Sequence, residues 1–103
     1  MSANLKQEAE NFGKGIGNMT RQNILEVLFD GPSNVNQIAN LTKFSQPLVS
    51  QHLKILKQCN LVTDTRKGQE IMYELNTKTM RRFVDSLVET LDDYDDWLES
   101  ERK

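Results

Sequence analysis

Cysteine occurs once in the 103 residues, at Cys59, which excludes an intrachain disulfide and any paired-cysteine zinc or redox motif. A lone free thiol suits a reducing compartment. Histidine also occurs once, at His52, so there is no second imidazole to complete a metal site, and no nucleophile–base pair stands out for catalysis. No apolar run approaches the ~18 residues of a membrane span, and the opening MSANLKQEAE is too polar for a secretory signal. A cytoplasmic protein without a membrane partner is expected. Apolar residues are scarce as well, at 37% with a mean hydropathy of −0.62, yet seven aromatics are too many for a disordered chain. One domain spanning 1–103, burying about two-thirds of its unfolded surface, fits this size, and such a small core invites completion by a second copy. It leaves no room for separate substrate and cofactor subdomains. No cofactor is expected, and the chain does not read as an enzyme.

Positive charge is not in excess either: the formal charge is −2, which taken alone argues against nucleic acid as a partner. The distribution reverses that inference. Residues 1–84 carry eleven Lys/Arg against seven Asp/Glu, a balance of +4, whereas residues 85–103 carry two against eight, a balance of −6. Between Thr42 and Gln69 there are five bases and one acid, Asp64. A polyanion responds to this local field rather than to the total.

Along the chain, residues 2–12 read as a short helix with Leu5, Ala9 and Phe12 on one side, followed by Gly13-Lys14-Gly15-Ile16-Gly17, a glycine-rich stretch expected to be a flexible connector. That stretch lacks the preceding strand and the Gly-Lys-Ser/Thr ending of a phosphate loop. An apolar helix from about Thr20 to Asp30 stops at Gly31-Pro32. Ser33 or Asn34 caps a short helix with Val35, Ile38, Ala39 and Leu41, and Ser45 caps the next, with Pro47 in its first turn and its stop at Asn60. Residues 61–65 and 70–75 form a hairpin joined by Arg66-Lys67-Gly68-Gln69, and a long helix runs from about Thr77 to Glu101. Two short helices separated by a brief turn and followed by a hairpin are the plan of a winged helix-turn-helix: a mainly α fold with a β-hairpin wing.

At 100° per residue, residues 46–58 separate into an arc of Leu48, Val49, His52, Leu53, Ile55 and Leu56 and a face of Gln46, Ser50, Gln51, Lys54, Lys57 and Gln58. The polar face contains no acid. Gln can bond bidentately to adenine, Ser to a base edge, and Lys to guanine or phosphate, so the face suits a nucleic acid; an ordinary solvated helix would mix Glu with Lys. His52, on the apolar arc, reads first as a packed, hydrogen-bonded histidine at the core's edge and second as a phosphate contact. Cys59 reads as a buried helix-end thiol. In the last helix Met80, Val84, Leu87, Leu91, Tyr94 and Leu98 follow spacings of 4, 3, 4, 3 and 4, an a/d seam that suits pairing with a two-fold mate along with Leu5 and Phe12. The helix's carboxylates lie mainly opposite the seam, as a solvated face.

Ile16-Gly17-Asn18-Met19-Thr20-Arg21-Gln22-Asn23-Ile24-Leu25 and Ser45-Gln46-Pro47-Leu48-Val49-Ser50-Gln51-His52-Leu53-Lys54-Ile55-Leu56, followed by Cys59-Asn60-Leu61-Val62, resemble the "LGNPTRLxIL", "SQSxVSxHLKxL" and "xGLV" segments of the ArsR/SmtB-type repressors. The departures are Met19 for Pro, Asn60 for Gly, and the glycines at 13 and 15. The resemblance implies a homodimeric transcriptional repressor on a palindromic operator in double-stranded DNA, released by an inducer of unknown identity. It places DNA contacts on Ser45, Gln46, Ser50, Gln51 and Lys54, with Arg66 and Lys67 in the wing. The family's metal-binding positions align with Asn34-Val35-Asn36 and with Thr77, Thr79, Thr90 and Asp93, where only Asp93 is a ligand type, so no metal is expected. The alternative reading is a winged-helix interaction module whose acidic last helix docks a basic partner.

Overall fold

Side-chain caps set most of the helix boundaries. In the computed structural model, which describes residues 3–103, α1 spans Ala3–Ile16, α2 Met19–Phe29, α3 Val35–Thr42, α4 Gln46–Gln58 and α5 Thr77–Arg102, with strands β1 (Val62–Lys67) and β2 (Glu70–Leu75) between α4 and α5. Asn18 Oδ1 accepts the Arg21 amide at 3.1 Å, opening α2. Asn34 and Gln37 form a reciprocal capping box for α3, with bonds of 2.8 and 2.9 Å. Ser45 Oγ accepts the Leu48 amide at 3.3 Å, and Pro47 occupies the first turn of α4, where its missing N–H leaves no bond unmade. α4 stops because Asn60 takes a left-handed conformation, with φ 61°.

The N-terminal expectation needs correction. Residues 13–16 are not a connector, since α1 continues unbroken through Gly13 and Gly15 to Ile16 and leaves Gly17 and Asn18 as the link to α2; the expected start at Ser2 lies outside the described residues. Packing overrides propensity here: a Cβ on Gly15 would collide with Leu61 Cδ1, so the glycine is what lets α1 lie against the core. The exposed helix-end carbonyls then find donors in α2. Arg21 Nη2 donates to Lys14 O at 2.7 Å, Arg21 Nε to Gly15 O at 2.9 Å, and Gln22 Nε2 to Ile16 O at 2.7 Å.

The core is built from Ile24, Leu25 and Leu28 of α2, Ile38 and Ala39 of α3, Val49, Leu53 and Leu56 of α4, and Cys59, Leu61 and Val62 beyond it, all buried. Strand pairing is antiparallel, from Val62 opposite Leu75 to Lys67 opposite Glu70, around a Gly68-Gln69 loop whose glycine sits at φ 64°. Ser33 and Tyr73 exchange backbone hydrogen bonds of 3.0 and 2.9 Å, fastening the hairpin to the segment before α3.

α5 is different. Its 26 residues span about 39 Å, and none is buried. The chain accordingly measures 61 × 24 × 22 Å, with a radius of gyration of 17.0 Å against about 13 Å for a compact chain of this length. No described helix is long and apolar enough to cross a membrane.

Candidate nucleic-acid interface

The two sides of α4 have separate tasks. Val49, Leu53 and Leu56 are 0% exposed and lock the helix into the core, which fixes the direction of everything on its far side. Gln46, Ser50, Gln51 and Lys54 lie on that far side, all exposed, and Ser45 is exposed at its N-terminus. Lys54 makes no ion pair among the described residues, whereas Lys57 is held by Asp64 of β1 at 2.9 Å. The single acid of the basic stretch thus reaches from the first wing strand to Lys57 at the end of α4, and α4 itself carries no carboxylate beside Gln46, Ser50, Gln51 and Lys54.

The wing carries Arg66 and Lys67 at its exposed tip, where Arg66 Nε donates to Gly68 O at 3.2 Å. Its position relative to α3 is set by Asn34 Nδ2, which donates to Glu70 Oε1 at 3.2 Å, in addition to the Ser33–Tyr73 exchange. The candidate contact residues of α4 and the wing therefore belong to one connected frame.

His52 lies at the core's edge, half-buried, with Nδ1 3.2 Å from Arg21 Nη1. A guanidinium has no lone pair to offer, so Nδ1 is the acceptor and the imidazole is neutral with its proton on Nε2. Burial, and then the Arg21 charge, hold its pKa below the ordinary histidine value. Arg21 is the residue that sequence reasoning does not single out. Its acceptors are a ring nitrogen on α4 and two carbonyls that become a helix end only because α1 runs on through its glycines.

The residues expected at a subunit interface divide. Leu5 is 6% exposed, packed within the protomer, and Phe12 stacks on Phe83 with ring centroids 4.8 Å apart. Met80 packs against the core, half-buried, and Leu98 is half-buried too. Val84, Leu87, Leu91 and Tyr94 are exposed by 39–54%. A cleft of about 390 Å³ lined by Phe12, Leu25, Phe29, Met80 and Val84 continues that stripe onto α2. Cys59 is buried and unpaired. Among the described residues no three His, Cys, Asp or Glu side chains gather as metal ligands would.

Residues 18–64 match the family described as "Bacterial regulatory protein, arsR family". The transcriptional repressor SdpR of Bacillus subtilis is 42% identical over 71 residues, covering 69% of this chain and 79% of that protein. The regulator Rv2034 of Mycobacterium tuberculosis is 40% identical over 63 residues, 61% of this chain and 59% of its own length. Among solved structures, the homodimeric winged helix-turn-helix DNA-binding domain of Mb0332 from Mycobacterium bovis superimposes with a TM-score of 0.70 at 30% identity, covering 88% of this chain and 83% of that one. The ArsR-like regulator from Rhodococcus sp. RHA1 reaches a TM-score of 0.84 at 22% identity over 90% and 88% of the two chains, a likeness of fold. With residues 18–64 matching that family and 42% identity to SdpR across 79% of its length, the chain belongs to the arsR family of regulatory proteins.

Proposed function

We propose that two copies of this chain pair along α5 and repress transcription by presenting their α4 helices to successive major grooves of a palindromic operator, about 34 Å apart. The observation that carries this reading is the outward face of α4: Gln46, Ser50, Gln51 and Lys54 exposed, free of acids, and aimed by a fully buried opposite face. Gln and Ser supply base-edge contacts that set sequence, while Lys54, the Ser45-capped helix end, and Arg66 and Lys67 of the wing supply phosphate contacts that set position. SdpR is named a transcriptional repressor and the Mb0332 domain a homodimeric DNA-binding one; both names support the reading. The positions that the family resemblance assigns to metal carry Asn34-Val35-Asn36, Thr77, Thr79, Thr90 and Asp93, of which Asp93 alone is a ligand type, so regulation proceeds without metal at those sites.

Fluorescence anisotropy on a palindrome from the region upstream of the chain's own gene tests this. Each lost bidentate contact is worth about 1–3 kcal/mol, so Gln51→Ala with Lys54→Ala weakens operator binding by roughly tenfold or more and lowers the salt slope by about one per subunit. Unchanged affinity in the double variant, or wild-type binding that ignores salt between 50 and 200 mM, would overturn it.

A further inference from the structure

We infer that Arg21 and His52 are a positioning couple for DNA reading, in which Arg21, anchored on the end of α1, holds the His52 ring and so sets the rotation of α4 about its axis. The inference rests on the DNA-reading role of α4. Three bonds converge on one guanidinium: Lys14 O at 2.7 Å, Gly15 O at 2.9 Å and His52 Nδ1 at 3.2 Å. The two carbonyl bonds leave Arg21 little freedom, so it acts as a fixed donor and not as a mobile surface charge.

His52 follows Gln51 directly and lies within one turn of Ser50 and Lys54. A rotation of α4 about its axis that swings those outward side chains also carries His52 away from Arg21 and strains the 3.2 Å bond. Val49, Leu53 and Leu56 turn the right face of the helix inward, but through non-directional contacts that leave some play about the axis, whereas the Arg21–Nδ1 bond is directional and narrows it.

The bond requires neutral imidazole. Protonation puts a hydrogen on Nδ1, removes the acceptor, and sets two cations side by side. Arg21 of α2 is the charged group that bears on the ring; α1 offers only carbonyls to Arg21 there, with the Lys14 ammonium in solvent; one turn to either side on α4 lie Leu48, Val49, Ile55 and Leu56. The lowered pKa agrees with this arrangement. The couple is therefore intact at neutral pH and released by acid.

The experiment compares affinity for the operator with affinity for a scrambled duplex in the full chain from pH 8 to pH 5, with folding checked by circular dichroism at each point. The wild-type ratio should fall about tenfold as pH drops below the histidine range, while scrambled-duplex affinity stays level or rises. In His52→Asn, Oδ1 stands in for Nδ1 but does not titrate, so the ratio should stay high and flat. In His52→Leu and Arg21→Lys it should be low at every pH despite intact folding. A His52→Leu chain with the wild-type ratio and pH profile overturns the couple, as does a pH dependence that persists in His52→Asn. A wild-type chain that cannot tell the two duplexes apart at pH 8 instead overturns the DNA-reading role, and hydrogen exchange along α4 in His52→Leu then judges the couple alone: unchanged protection counts against it.

Discussion

Gly15 has a neighbour that Gly13 lacks. A Cβ at Gly15 would run into Leu61, which is itself 1% exposed, and would touch Leu56 as well, whereas a Cβ at Gly13 meets nothing within 4 Å. Two glycines in one helix, two residues apart, should therefore respond oppositely to alanine. Gly13→Ala gains helix propensity and should stabilise by up to about 1 kcal/mol. Gly15→Ala forces a shift in a packed core and should destabilise by about 1–3 kcal/mol, net of that same propensity gain. Urea midpoints at constant m-value measure both, and a stabilised Gly15→Ala would mean that α1 does not rest on Leu61 as described. The His52 pKa adds a linkage at this scale. Because the folded value lies below the ordinary one, the unfolded chain binds the extra proton first, so this residue's contribution is full above about pH 6.5 and is lost as pH falls through the folded value.

At the scale of elements, legibility followed the kind of partner that each boundary uses. α2, α3, α4 and the hairpin are bounded by residues close in sequence: the side-chain caps Asn18, the Asn34–Gln37 box and Ser45 with Pro47, and the left-handed backbones of Asn60 and Gly68. Local chemistry of this kind is visible in a sequence, and so was the acid-free face of α4, which needs only helical geometry. The end of α1 is not visible in the sequence, because what holds it is not local. Gly15 is accommodated against Leu61, some 46 positions on, and the helix-end carbonyls are capped by Arg21 from the next helix. The Arg21–His52 contact spans 31 positions and depends on that same helix end. Asn34 joins both categories, capping α3 locally while reaching Glu70 of β2. Asn34→Ala should therefore cost about 1–2 kcal/mol in urea unfolding, at the upper end for an N-cap, and should raise amide exchange in the wing; Asn34→Ser, which keeps a cap but not the reach, should restore the stability and leave the wing exchange raised. Restored protection in the serine variant would show that the Glu70 bond does not hold the wing.

For the whole molecule, the imbalance between a closed core and an open last helix decides the expected assembly. The core on α2 to β1 is complete without α5, whose Val84, Leu87, Val88, Leu91, Tyr94 and Trp97 remain 39–55% exposed along a 26-residue rod. An apolar stripe of that length is more than a monomer ordinarily leaves in water, and it runs on into the cleft bounded by Phe29 and Met80. The carboxylates of α5 are exposed and lie mainly opposite the stripe, so the net charge of −2 is the sum of an acidic last helix and a basic stretch on α4 and the wing. If the stripe is the seam, Leu87→Glu with Leu91→Glu should shift the chain in sedimentation from twice 11.9 kDa to a single chain. Circular dichroism of the helices through β1 should barely change, because neither side chain contributes to the protomer's core. Operator affinity should fall much further than affinity for a half-site, since linking two modest contacts multiplies their effect while each alone is unaltered. A double variant that stays dimeric would place the seam elsewhere; one that becomes monomeric yet binds the full palindrome as tightly as before would break the connection between pairing and recognition.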